Sequence, residues 1–198
     1  LYARKVVSKN QVRDLMRDAL ENNRTSQARR LAAIIFTAPQ MKDYTALMAS
    51  PQKWLDRNVN NSSVNPELVS LALSRLGRGQ RDAAAAYIDR TWAGKIPQEN
   101  LNWVWGQFGL ISALRVEDDA AKWYRRSGRT PMTDYNNAWQ VRAELRQATI
   151  DWKHVSAAID ELETDLPAPE RRQLRADLCR IGDAGELIAA LQQPHDLY

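Results

Sequence analysis

The sequence is short of the residues on which most catalytic and metal chemistry depends. Cysteine occurs once, at Cys179, and histidine twice, at His154 and His195. A single cysteine excludes an internal disulfide. Within the apolar helical pattern LRADLCRIG it reads as a small core side chain, with a reactive thiol as the alternative. Two distant histidines, with no cysteine at ligand spacing, build no metal site, and one thiol with neither histidine near it makes a poor nucleophilic dyad. Glycine is also scarce. The piece GRGQRD has no strand before it and no Lys-Ser/Thr after it, so it is a helix-hairpin turn and not a phosphate loop. No cofactor is expected. No apolar run approaches the 18 or so residues of a membrane-spanning helix, and no signal peptide is present. The chain begins at Leu1 and not at Met, so a mature or trimmed product is expected, one from which a leader has been lost.

Strand patterns are missing as well. Val, Ile and Thr do not alternate, and Ala, Leu, Arg, Gln and Asp dominate, which favours helices. The net charge is +4, spread without a block of five like charges. A mildly basic surface attracts acidic polymers in general, whether nucleic acid, anionic lipid or a carboxylate-bearing glycan, and does not choose among them.

Helical spacing runs through the chain. Val12, Leu15, Met16 and Ala19 share a face, as do Ala28, Leu31, Ala32 and Ile35. Leu68, Leu71, Ala72 and Leu76 form the next stripe, then Ala83, Ala86 and Tyr87, then Leu101, Val104, Phe108 and Ile111. Ala138, Val141, Leu145 and Ala148 follow, then Trp152, Val155, Ile159 and Leu162. Leu174 to Leu178 and Leu187 to Leu191 close the series. Short breaks fall near Asn23, Arg78, Val116, Thr149 and Gly182, the last four about 38, 33 and 33 residues apart. Tetratricopeptide hairpins repeat every 34 or so residues, and stacked hairpins bury faces that no single one can. The spacing predicts an all-α fold, an α-solenoid of tetratricopeptide-like antiparallel helix pairs in one domain, 1–198. An irregular segment about 37–66, rich in Asn, Ser and Pro, is expected to hold short helices and a loop. Asp82, Asp118, Asp151 and Asp183 each follow a turn, where an acid favours a helix start.

The stretch WVWGQFGLISALRVEDDAAKWYRRS concentrates the aromatic residues. Trp103 and Trp105 flank the Leu101/Val104/Phe108 stripe, so this helix is apolar on several sides, as a helix buried between neighbours is. Large side chains at such places act as wedges between helices; the competing reading is a stacking platform for sugar rings or bases. Glu117, Asp118 and Asp119 form the densest acidic cluster and read as capping charges. Of the basic groups Arg29-Arg30, Arg171-Arg172 and Arg125-Arg126 with Arg129, the last lies beside Trp123 and Tyr124. Arg125, Arg126, Arg129, Trp123 and Tyr124 are therefore the candidate glycan-binding set.

Three pieces carry a family resemblance: NPELVSLALSRLGRGQRDAAAAYIDRTW, NWVWGQFGLISALRVEDDAAKWYRRS and NNAWQVRAELRQATIDWKHVSAAIDEL. In this order they resemble the superhelical, non-catalytic region that precedes the catalytic domain of soluble lytic transglycosylases of the Slt type. The resemblance is clearest from Pro66 to Leu162, and its motifs are packing positions. It implies a periplasmic protein that binds peptidoglycan glycan strands, its helices curling into a ring or horseshoe with a basic surface. In that family a single glutamate cleaves between N-acetylmuramic acid and N-acetylglucosamine and leaves a 1,6-anhydro product. The family's glutamate-serine, GLMQ-like and AYNAGPG-like motifs are all missing here. No catalytic residue is therefore carried over, and the lysozyme-like catalytic domain is absent from this chain.

Four readings follow. The first is a glycan-holding scaffold that works with the missing catalytic domain. The second is a tetratricopeptide-like module docking other cell-wall enzymes. The third, a nucleic-acid-binding repeat, lacks repeating base-reading positions. The fourth, an enzyme complete within these residues, requires a cleft that holds a buried carboxyl.

Overall fold

A computed structural model of the chain describes residues 7–147 together with 151, 153, 155 and 157. Among the described residues the fold is all-helical, with nine helices and no strand: α1 (Lys9–Glu21), α2 (Thr25–Ile35), α3 (Ala38–Ala49), α4 (Pro51–Asn58), α5 (Pro66–Leu76), α6 (Arg81–Thr91), α7 (Gln98–Leu114), α8 (Ala120–Ser127) and α9 (Asp134–Leu145). The expected breaks at Asn23, Arg78 and Val116 fall between α1 and α2, α5 and α6, and α7 and α8. Segment 37–66 holds α3, α4 and the loop 59–65. The positions read around Thr149, Gly182, Asp183, Cys179 and both histidines lie outside the described residues.

Local chemistry explains where the helices start. Ser8 accepts from the Gln11 N–H while the Gln11 amide oxygen accepts from the Ser8 N–H, a capping box that opens α1. Asn65 caps α5 by accepting from the Glu67 N–H at 2.9 Å, and Thr133 caps α9 by accepting from the Asn136 N–H at 3.2 Å. Prolines stand in the first two positions of α3, α4 and α5, where a missing N–H is harmless.

Two helices end alike with different residues. After α1, the Arg24 N–H reaches the Ala19 carbonyl and the Asn23 N–H that of Leu20; after α7, the Glu117 N–H reaches Ser112 and the Val116 N–H reaches Ala113. Both are Schellman ends with the turning residue left-handed, at φ 56° for Asn23 and 61° for Val116. Asparagine tolerates that region, whereas a β-branched valine is strained there.

The core centres on α7, which is buried on several sides and packs against α5, α8 and α9. Trp105 and Trp123 stack with ring centres 6.0 Å apart, and Phe108 meets both edge-on at 5.3 and 5.5 Å. The aromatic stretch thus wedges α7 against α8. Two glycines of α7 let neighbours approach closely. A Cβ on Gly106 would lie 2.2 Å from a Met132 carbon, and one on Gly109 would lie 2.8 Å from the Tyr124 ring.

Three sequence expectations about faces are corrected. Leu15 is half exposed and does not join Val12, Met16 and Ala19 in the core. In α6 the buried face is Ala84, Ala85 and Ile88, one step round from Ala83, Ala86 and Tyr87. Its outer edge is tied to α8 by Asp82–Lys122 at 3.0 Å and Asp89–Arg126 at 2.6 Å. In α9 the buried side chains are Asn136, Asn137, Ala143 and Glu144, while Ala138, Val141 and Leu145 are only partly covered.

Contacts also reach beyond neighbouring hairpins. Arg17 of α1 pairs with Glu67 of α5 through Nε at 2.8 Å, and Asn100 of α7 donates to Ser70 at 3.0 Å and to Glu67 at 3.4 Å. One turn further along α1, Glu21 joins α7 and α9. In a linear stack each repeat touches only its neighbours; here the first helix is bonded to the seventh and ninth.

Gly109→Ala is expected to destabilise the fold by about 1–3 kcal/mol through overpacking against Tyr124, although alanine favours a helix by about 1 kcal/mol. Val116→Gly is expected to stabilise it by about 0.5–1 kcal/mol by removing left-handed strain at an exposed position. Chemical denaturation of both variants checks the signs; a stabilised Gly109→Ala or a destabilised Val116→Gly contradicts the packing described.

Candidate functional site

The five residues singled out from the sequence have different fates. Trp123 and Tyr124 are each 1% exposed. The Trp123 indole N–H donates to Asp119 Oδ2 at 2.7 Å, and the Tyr124 hydroxyl donates to the Asn136 carbonyl at 3.3 Å. Burial and the nearby Glu21 carboxylate push the Tyr124 phenol far above its ordinary range. These rings are core wedges that offer no face for stacking a ligand.

Arg125 and Arg126 are engaged in structure too. The Arg125 guanidinium donates to Glu144 Oε2 at 2.9 Å, and the Glu144 side chain is only 1% exposed, so removing the arginine would leave a buried acid without its cation. Arg126 lies 3.6 Å from the centre of the Trp105 ring and pairs with Asp89, a cation–π stack closed by an ion pair.

Arg129 is different. It follows the α8 C-terminus on the segment leading to α9, is exposed, and has no carboxylate partner among the described residues. It lines a cleft of about 490 Å³ with Arg13, Asp14, Glu99, Thr130 and Trp103. One face of that indole is covered by the Arg17 guanidinium, which sits 4.3 Å from the ring centre and also lines the cleft. The cleft therefore offers hydroxyl, carboxylate and guanidinium groups round one apolar edge. That set suits a hydroxyl-rich ligand bearing negative charge. Arg13 escaped sequence reasoning, since it and Arg129, about 115 positions apart, meet only in the fold; Trp103 was read as a wedge or stacking platform and not as the wall of this cleft.

A buried carboxyl is present as well. Glu21 accepts from the Gln107 amide, the Thr133 hydroxyl and the Asn136 amide, the last at 3.2 Å. Burial raises its pKa above the ordinary 4.5, more than those hydrogen bonds lower it, and Asp18 adds a small rise. Both carboxyl oxygens accept from donors of α7, α9 and the α9 cap, so the arrangement ties these elements together as a structural knot. Among the described residues no group of three or more His, Cys, Asp or Glu side chains is placed to hold a metal ion. No helix among them is long and apolar enough to cross a membrane.

Comparison with known proteins finds no matching family model, no similar curated protein and no similar solved structure.

The Glu21 knot has a pH signature. A carboxyl whose pKa is raised on folding contributes most to stability below its unfolded value near 4.5, and that contribution is lost as pH rises through the folded value. Glutamine keeps the shape without the charge. The stability of Glu21→Gln relative to the parent is therefore expected to improve as pH is raised from 4.5 to 7. Glu21→Ala, which also strands three donors, is expected to be less stable than Glu21→Gln by about 1–3 kcal/mol at each pH. Urea melts across that range test this; a Glu21→Gln difference that stays flat with pH contradicts a buried, charge-strained carboxyl.

Proposed function

We propose that this chain is the helical, non-catalytic part of a peptidoglycan lytic transglycosylase. It holds an anionic glycan strand in the periplasm while a catalytic domain outside these residues makes the cut and forms the 1,6-anhydro product. The single observation that carries the reading is the Arg129 cleft. It is a concave, polar site whose exposed Arg129 guanidinium has no carboxylate partner among the described residues, and no metal-holding group of side chains occurs among them. Glycan strands present hydroxyls to such groups and carry carboxylates on their peptide stems, which a guanidinium recognises by paired hydrogen bonds. The finer architectural reading, tetratricopeptide-like hairpins curling into a ring or horseshoe, is part of this proposal and rests on the repeat spacing of the helices.

The test is incubation of the chain with purified sacculi, scoring bound protein and released anhydro-muropeptides separately. Binding without release is expected. It should weaken as salt rises from about 50 to 300 mM, because screening shortens the reach of exposed charge. Arg129→Glu is expected to weaken binding about three- to tenfold, while Arg30→Glu, the same charge change on α2 outside the cleft, leaves it within twofold. Release of muropeptides would assign the chemistry to these helices and overturn the reading. Absence of binding, with recovery of one stoichiometric cell-wall enzyme from periplasmic extract, would favour the protein-docking alternative.

A further inference from the structure

Trp103 also borders a second cavity, of about 200 Å³, which the glycan reading leaves unused. Three arginines line it: Arg75 in the last turn of α5, Arg78 just beyond that helix, and Arg115 at the C-cap of α7. The Arg115 guanidinium donates to the Arg78 carbonyl at 3.0 Å. Arg75 Nε is buried with no hydrogen-bond partner, and neither Arg75 nor Arg78 has a carboxylate partner among the described residues. Burial, then repulsion from Arg75 and Arg115, lowers the pKa of Arg78.

Arginines gather at helix C-termini for a mundane reason, and three helices, α1, α5 and α7, end at this cavity. Each end carries about half a negative charge. Three ends sum to about −1.5 against three guanidiniums, so the dipoles explain roughly half of the positive charge. The acids nearby, Glu21 in the cavity wall and Glu117 beside Arg115, offset part of the rest. Glu21 turns its oxygens to Gln107, Thr133 and Asn136. Glu117 is held in an ion pair by Arg81 and lies 4.0 Å from Arg115. The unmet positive charge is centred on Arg75, one of whose donors has no partner among the described residues.

The remaining walls are mixed: Met48, Leu71 and Leu110 give an apolar side, and Glu21, Ser74 and Gln107 a polar one. At about 30 Å³ per water molecule, the space equals some seven waters. That is room for an anionic group and one or two small aliphatic groups, not for a folded partner or a sugar strand. Two guanidinium forks match the two oxygens of a carboxylate, and the apolar side matches a methyl or isopropyl group beside it. We propose that Arg75, Arg78 and Arg115 form a binding pocket for the terminal carboxylate of a short aliphatic peptide. This rests on the cavity alone and does not need the cell-wall reading, which the sacculus assay judges by itself.

The test is calorimetric titration of the full chain with N-acetyl-alanyl-alanine, its C-terminal amide, and inorganic phosphate. The free acid is expected to bind at millimolar strength or better, with the amide about tenfold or more weaker, because it offers the guanidiniums no charge. Arg78→Gln, at an exposed position that packing does not depend on, is expected to weaken the acid about tenfold. Arg30→Gln, which removes the same charge outside the cavity, should leave it unchanged. Circular dichroism melts of both variants confirm that they fold. Equal binding of acid and amide, undiminished binding by Arg78→Gln, or phosphate binding as tightly as the acid would each overturn the proposal, the last by reducing the site to a general anion trap.

Discussion

The arrangement depends on one buried carboxylate. Glu21 sits at the end of the first long helix and takes donors from α7 and from the start of α9, across 86 to 115 residues of chain. Among the described residues no ion pair holds it, and hydrogen bonds stabilise its carboxylate. An uncompensated carboxylate in apolar surroundings would cost far more than a neutral group, so the three donors are conditions for the fold. Four residues earlier on the same face of α1, Arg17 makes a bidentate pair with Glu67 while covering Trp103. Buried pairs of this kind add little net stability over apolar packing but penalise any register that separates the partners. Two such centres one turn apart set the position of α1 on α5, α7 and α9, and with it the walls of both cavities.

Local features were legible in the sequence because they are set by neighbours in the chain. Three turn positions among the described residues, the α5 and α7 stripes and the wedge role of Trp103 and Trp105 all follow from spacing. The errors occur where distant partners decide. Ala83 and Ala86 look as apolar as Ala84 and Ala85, and it is burial of Ile88 on the face of Ala84 and Ala85 that turns those two inward, with Asp82 and Asp89 left at the edge toward α8. In α9 the pattern of Ala138, Val141 and Leu145 points one way. The structure buries Asn136 and Glu144 instead, because Glu21 and Arg125 wait there to satisfy them. A hydrophobic stripe identifies a buried face only when no buried charge elsewhere needs partners.

The same lesson governs the arginines. Arg125, Arg126 and Arg129 look equivalent in the run WYRRSGR, yet the first neutralises Glu144, the second closes a stack on Trp105, and the third lines a cleft with no carboxylate partner among the described residues. The availability of a cation depends on which carboxylates the fold brings to it. Arg75, Arg78 and Arg115 lie singly in the sequence and attract no notice there, although the ends of α5 and α7 set them round one cavity.

Trp103 links these observations. It borders both cavities, carries Arg17 on its face, and stands one turn before Gln107, which holds Glu21. The indole is almost wholly buried, so its position is determined by packing and its edge is a fixed part of each wall. Placing two basic cavities on either side of one rigid side chain requires that their charges be offset from the core side, since solvent reaches them only from their mouths. Glu67 and Glu21 do this in different ways, the first by neutralising Arg17 outright, the second by holding a carboxyl close to the arginine cavity with its oxygens turned to α7 and α9. The charge left on Arg129, Arg75 and Arg78 is thus the remainder after the fold has met its own electrostatic needs, and that remainder is what a bound anion can address.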